Sequence, residues 1–145
     1  MRITFKSIWY TKLMFSKRFV VILFTTVLLI YIHMFEEIKG DFYHVDSTLL
    51  FLSSLFKDIP QSTYFMGETV FRIMLLLLAL ITLGKKWALW VFTLYGVLLI
   101  AETDHLIKAI QTKNYYPGSI TALLIVVSSF FYWKELLREW KKNRR

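Results

Sequence analysis

Long apolar runs broken by short polar stretches organise this chain. The runs cover about residues 19–35, 64–83, 87–105 and 117–133. At 1.5 Å rise per residue, about 20 helical residues cross a hydrocarbon core of about 30 Å. The uncharged centres are slightly short of that, so flanking aromatic and charged residues must lie at the membrane surface. Trp9, Tyr10, Trp87, Tyr115, Tyr116, Tyr132, Trp133 and Trp140 suit such a belt. The pattern therefore predicts an all-α integral membrane protein, a four-helix bundle with both termini on one side. The longest connection, about residues 38–63, holds a further amphipathic stretch. Asp46-Ser47 can cap a helix running to about Lys57. That helix is too short to span; it is either an interfacial anchor or a lid over the bundle mouth.

Composition supports the membrane reading. The chain has 145 residues, which suits a single domain, and 57% of them are hydrophobic. Soluble domains hold about 45–50%. The basic start followed by an apolar run resembles a secretory signal. No small-residue cleavage site follows Ile30-Tyr31-Ile32-His33, so a retained span is expected. The net charge of +8 is unevenly spread. Thirteen of the eighteen Lys and Arg residues fall in the N-terminal arm, the 84–86 connection and the tail 134–145. By the positive-inside rule that side faces the cytoplasm, with anionic lipids as a natural contact. The charge marks topology rather than nucleic-acid binding. The chain contains no cysteine, which removes thiolate metal sites and a Cys nucleophile.

The chemistry gathers at the ends of the runs opposite the basic side. His33-Met34-Phe35-Glu36-Glu37 closes the first run, Glu68 enters the second, and Glu102-Thr103-Asp104-His105 ends the third. Residues three and four apart share a helix face, so His33 aligns with Glu36 and Glu37, and Glu102 with His105. Ionisable groups at the edge of hydrocarbon are expensive and mark a candidate site. Imidazoles with carboxylates from neighbouring helices suit zinc, iron or manganese. His33, Glu36, Glu102 and His105 are the candidate ligands, and Glu37 and Glu68 the candidate acid–base groups. A proton shared between crowded carboxylates is an alternative to a metal. So is a structural polar network, in which Glu68 pairs with Arg72 four residues on. His44, in the loop, reads as solvated, and Tyr115-Tyr116 as interface anchors.

HMFEE at 33–37 resembles the signature of the membrane proteins named for their His-x-x-Glu-Glu motif. A second stretch is similar to that family too: His105, followed by Tyr115 or Tyr116, Pro117, Gly118, Thr121 and Ala122. The two stretches bracket most of the chain. Where the family often carries Asn one turn before the later His, this chain has Ala101. The resemblance supports the site positions without naming a reaction, and implies a bacterial cytoplasmic membrane.

No phosphate-cradling Gly-rich loop and no Gly-x-Ser-x-Gly nucleophile elbow is present. Two functions remain: a membrane enzyme acting from the outer face on a lipid or small amphiphile, or a non-enzymatic subunit, carrier or accessory protein that docks a membrane partner.

Overall fold

The computed structural model describes residues 15–56, 59–81 and 87–143. Trp9, Tyr10, Lys57, Leu83, the 84–86 connection and most of the basic N-terminal arm lie outside them. The described residues form seven helices and no strand. The long ones are α1 (Lys17–Lys39), α4 (Pro60–Ile81), α5 (Ala88–Ala101) followed by α6 (Thr103–Thr112), and α7 (Ser119–Asn143). Two short helices, α2 (Phe42–Val45) and α3 (Ser47–Phe56), fill the predicted loop. Among the described residues, three helices are long and apolar enough to cross a membrane: Lys17–Lys39, Ala88–Thr112 and Ser119–Asn143. The second predicted span falls on α4, which carries Glu68 and Arg72 within it and is not among those three.

Two heptad-like stripes hold the bundle together. Along α1, Phe19, Leu23, Thr26, Ile30, His33 and Glu37 are buried. Along α7, Ala122, Ile125, Ser129, Tyr132, Leu136 and Glu139 are buried. Alternating steps of three and four keep each set on one face. The stripes face each other antiparallel. Thr121 meets Glu36 at one end, and Glu139 accepts from the Ser16 backbone N–H (3.0 Å) at the other. Buried hydroxyl and indole groups find partners across helices. Tyr132 donates to the Phe92 carbonyl (2.7 Å), Trp133 to the Gly96 carbonyl (3.1 Å) and Tyr95 to the Thr26 hydroxyl (3.3 Å). The α7 helix runs well past Trp133, so residues 134–143 of the predicted tail are helical, and Leu136 and Glu139 are packed inward.

The outward faces are the inverse of a soluble protein. Leu28, Trp90, Ile120 and Phe130 are each at least 60% exposed, while Thr26, His33, Glu37, Glu68 and Glu139 are buried. An apolar exterior of this extent is compatible with a membrane protein, whose outer faces meet an apolar medium. The long helices alternate in direction. Tyr64 of α4 meets Glu37 of α1, and the α4 carbonyl of Arg72 meets Tyr31, so α4 descends as α1 rises. The C-terminal end of α1, the start of α4, the α5–α6 junction and the start of α7 consequently share one end of the bundle.

Candidate metal centre

Helix geometry decides which acidic residue faces His33. Successive residues turn by about 100°, so Glu37 lies about 40° from His33 around α1 and Glu36 about 60° to the other side. Glu37 follows His33 into the interior. Its Oε1 lies 3.6 Å from His33 Nε2 and 3.4 Å from His105 Nε2. Its Oε2 accepts from the Tyr64 hydroxyl at 3.0 Å. Glu36 turns toward α7. Its Oε1 accepts from the Tyr115 hydroxyl (3.1 Å) and the Ile120 N–H (3.1 Å), and its Oε2 from the Thr121 N–H (2.8 Å) and hydroxyl (2.5 Å). The sequence groups Glu36 with the ligands. The structure instead makes it the cap of α7, where a carboxylate meets free N–H groups and the positive end of the helix dipole.

The break between α5 and α6 brings in the third helix. The Thr103 hydroxyl donates to the Ile100 carbonyl (2.6 Å), and the His105 N–H reaches the Glu102 carbonyl, a three-residue turn (3.3 Å). This tightened turn aims Glu102 and His105 at α1. Glu102 Oε2 lies 3.0 Å from His33 Nε2 and 3.6 Å from His105 Nε2. The two rings meet edge to face with centroids 4.7 Å apart. One ligand atom each from His33, Glu102 and His105 all lie within 4.8 Å of one another. These three could hold a metal ion, with Glu37 adding an oxygen beside both rings.

Both imidazoles have their outer nitrogen fixed. His105 Nδ1 lies 2.7 Å from the Pro117 carbonyl, which can only accept, so Nδ1 carries the proton. His33 Nδ1 lies 2.8 Å from the Thr121 hydroxyl, whose own proton goes to Glu36. Thr121 therefore accepts from His33 Nδ1–H. In the neutral rings both Nε2 atoms then present bare lone pairs inward, the tautomer that metal-ligating histidines adopt. His33 Nε2 is buried and makes no hydrogen bond of good direction despite the nearby carboxylates.

The second sequence stretch makes this approach possible. Gly118 has φ +86°, where L side chains are strained. A Cβ there would lie 2.5 Å from His33 Cε1 and 2.8 Å from His105 Nδ1. Gly40 similarly admits Pro117, whose Cβ would sit 2.7 Å from an added Cβ.

Residues 8–133 match a family described as protein of unknown function with HXXEE motif. The chain belongs to this family. No curated protein and no solved structure matches it. The geometry gives the HXXEE motif a physical reading. His33 faces the cluster, Glu36 fixes His33 through Thr121, and Glu37 lines both rings. The Pro-Gly pair then supplies the acceptor for His105 and the room for both imidazoles.

The remaining predicted residues are also placed. Glu68 is buried, pairs with Arg72, and lines a cavity of about 210 Å³ together with His33, Glu37, Tyr64, Glu102 and His105. His44 is exposed. The Tyr116 hydroxyl donates to Asp46 (2.8 Å), so it serves a different group from the cluster. Asp46 also receives the Lys108 ammonium (2.6 Å) and caps α3 through the Leu49 N–H (2.8 Å). Burial pushes the Asp46 carboxyl up, but the bonds from Lys108, Leu49 and Tyr116 outweigh it and hold it below the usual carboxylate range. Phe42, from α2, packs on His105 with centroids 5.2 Å apart. Covering of the cluster therefore falls to α2. The α3 helix leaves Phe51 and Leu55 60% exposed, as an anchor would. Thr121, Tyr64 and the Pro117 carbonyl were not assigned these roles from sequence. The signal for Thr121 and Pro117 was the Tyr-x-Pro-Gly and Thr-Ala stretch; Tyr64 lies outside it.

Proposed function

We propose that this chain is a four-helix integral membrane protein carrying a divalent metal site, and that it acts on a lipid or small amphiphile as a metal-dependent enzyme. One observation supports this most directly. The Nε2 atoms of His33 and His105 lie 3.0 to 3.6 Å from carboxylate oxygens of Glu37 and Glu102, so with both rings neutral, acceptors would face acceptors. A cation between them resolves that repulsion. With zinc–ligand bonds of about 2.0–2.1 Å, the edges of a tetrahedral site are about 3.4 Å, close to the 3.0 and 3.6 Å between Glu102 and the two rings, and these three ligands leave a fourth position open beside Glu37. Zinc, iron and manganese all suit this donor set. Glu37 is the group best placed for proton transfer, since Tyr64 orients it beside both rings. Glu68, paired with Arg72, supplies charge at the cavity wall. The positive-inside pattern puts the cluster at the outer face and both termini in the cytoplasm.

The test is metal analysis of the detergent-purified protein and its His33→Ala and His105→Ala variants. The expected result is about one metal per chain, set by the single cluster, and loss of it in both variants while the helices remain folded. Wild-type protein free of metal after purification and zinc loading would overturn the reading. A structural polar knot, the second reading, draws support from Glu36 and Glu68, whose carboxylates are already satisfied by Thr121 and Arg72. Under that reading the histidine variants would lose stability and no metal.

A further inference from the structure

A second cavity of about 190 Å³ lies between α4 and α5 next to the cluster cavity, and Phe71 lines both. The facing stripes of the two helices change character together. On α4, Leu78, Leu75 and Phe71 lead to Glu68 and Tyr64; on α5, Val91, Tyr95 and Leu98 lead to Glu102. Each step is three or four residues, so each stripe stays on one helix face. The two cavities thus follow one another along the α4–α5 groove, which is apolar over about 10 Å of α4 between Leu78 and Phe71 and polar beyond Phe71, where two imidazoles and three carboxylates line it. Tyr95, the one hydroxyl-bearing residue in its apolar part, spends its O–H on Thr26 (3.3 Å) and offers the groove only its ring.

We infer that this α4–α5 groove receives a single hydrocarbon chain of the substrate, leading its polar head to the His33–Glu102–His105 cluster. The inference rests on the reading of that cluster as a site for an amphiphile. Lipid tails are as apolar as the groove, so transfer from the bilayer gains little free energy. What the groove supplies is alignment: a chain lying between α4 and α5 holds its head group against Glu37 and the two Nε2 atoms. A double-chained lipid would leave its second chain on the outward faces of Met74 and Leu94, which are about half exposed or more.

The experiment uses the full chain in phosphatidylcholine nanodiscs, loaded with zinc, and a decanoyl hydroxamate carrying a diazirine at its far end. The hydroxamate binds metals and the diazirine marks where the chain lies. After illumination, label should concentrate on Leu75, Leu78 and Leu98, several-fold above the outward residues Leu28 and Leu123. Excess acetohydroxamate, which competes for the head alone, should erase that concentration. Leu94→Trp, at the exposed rim, should fill the groove and do the same while leaving zinc content unchanged. Label spread evenly over all outward faces would overturn the inference. So would groove labelling that ignores acetohydroxamate, which would describe a slot for bilayer lipid. Zinc content of the same samples judges the metal separately. Competed groove labelling without zinc keeps the chain site and removes the metal; even labelling with zinc bound does the reverse.

Discussion

Gly118→Ala is the sharpest test of how the site is built. The added methyl would lie 2.5 Å from His33 Cε1, 2.8 Å from His105 Nδ1 and 3.1 Å from His105 Cε1. Ordinary carbon contacts are about 3.5–4.0 Å, so His33 must retreat by about 1 Å. The retreat is opposed by its bond to Thr121 and by the packed α1–α7 seam. Overpacking of this kind costs about 1–3 kcal/mol, and a positive φ at a non-Gly residue adds about 1–2 kcal/mol. Metal ligation tolerates ligand displacements of only about 0.2 Å, so a 1 Å shift removes His33 as a ligand. The assay is zinc competition against a chelator, with thermal unfolding measured in parallel. Zinc affinity should fall by more than about 100-fold, the upper range for lost support of a ligand, while the protein still unfolds cooperatively. Gly67→Ala is the matched control. Gly67 lines the same cavity, but a Cβ there meets nothing within 4 Å. In a helix it should be neutral or stabilising by about 0.5–1 kcal/mol, with zinc binding unchanged. Wild-type zinc affinity in Gly118→Ala would refute the claim that both imidazoles depend on this contact.

Other expectations follow from the same geometry. Thr121→Val removes the acceptor for His33 Nδ1–H and should weaken zinc by about 10–100-fold, with Thr121→Ser restoring most of it; equal loss in both would point to packing instead. Zinc occupancy should fall as pH drops from 8 to 5, because protonated rings cannot ligate, and a flat profile over that range would count against histidine ligands. Asp46 has a lowered pKa, so its tie to Lys108 stabilises α2 and α3 fully above the ordinary carboxyl value of about 3.9 and loses that contribution as pH falls through its own lower value. Hydrogen-exchange protection factors across residues 42–56 should therefore drop only in strong acid, and a drop already between pH 7 and 5 would contradict that sign. Lys39→Cys should react with an impermeant thiol reagent on intact cells; reaction only after lysis would reverse the proposed orientation.

Much of the fold was legible because helices long and apolar enough to cross a membrane announce themselves by length and apolarity. The stripe that begins at Phe19 carries straight through to His33 and Glu37, and its period can be read from the residues alone. The division of labour between Glu36 and Glu37 could not. Both lie one turn from His33, and only the seating of α7 against α1 decides which faces inward. The start of α7 was half legible. Proline in a first turn suggested a helix start, yet the Pro117 carbonyl and the Gly118 conformation matter to histidines on other helices, a tertiary fact with no local sign. The extension of α7 beyond Trp133 was hidden by its charges. Lys134, Arg138 and Lys141 end the apolar run in composition, but the helix continues through them, and Leu136 and Glu139 still face the core.

The placement of the cluster follows from what a helical bundle can bury. In its middle, α1 spends its polar capacity on Thr26, which bonds its own helix and meets Tyr95. A histidine or carboxylate at that depth would need a partner from a neighbour with no free backbone groups. At the end of the bundle the supply changes. The first turn of α7 offers N–H groups to Glu36, the Pro117 carbonyl is free to accept from His105, and the α5–α6 break frees Glu102 to turn inward. Each group that orients an imidazole is thus an unspent backbone donor or acceptor at a helix end, or a side chain anchored to one. That is why His33 and His105 lie where four helices begin or end. It is also why substitutions at Thr121 and Gly118, which belong to the helix start rather than to the donor set, are expected to act on metal affinity before they act on the fold.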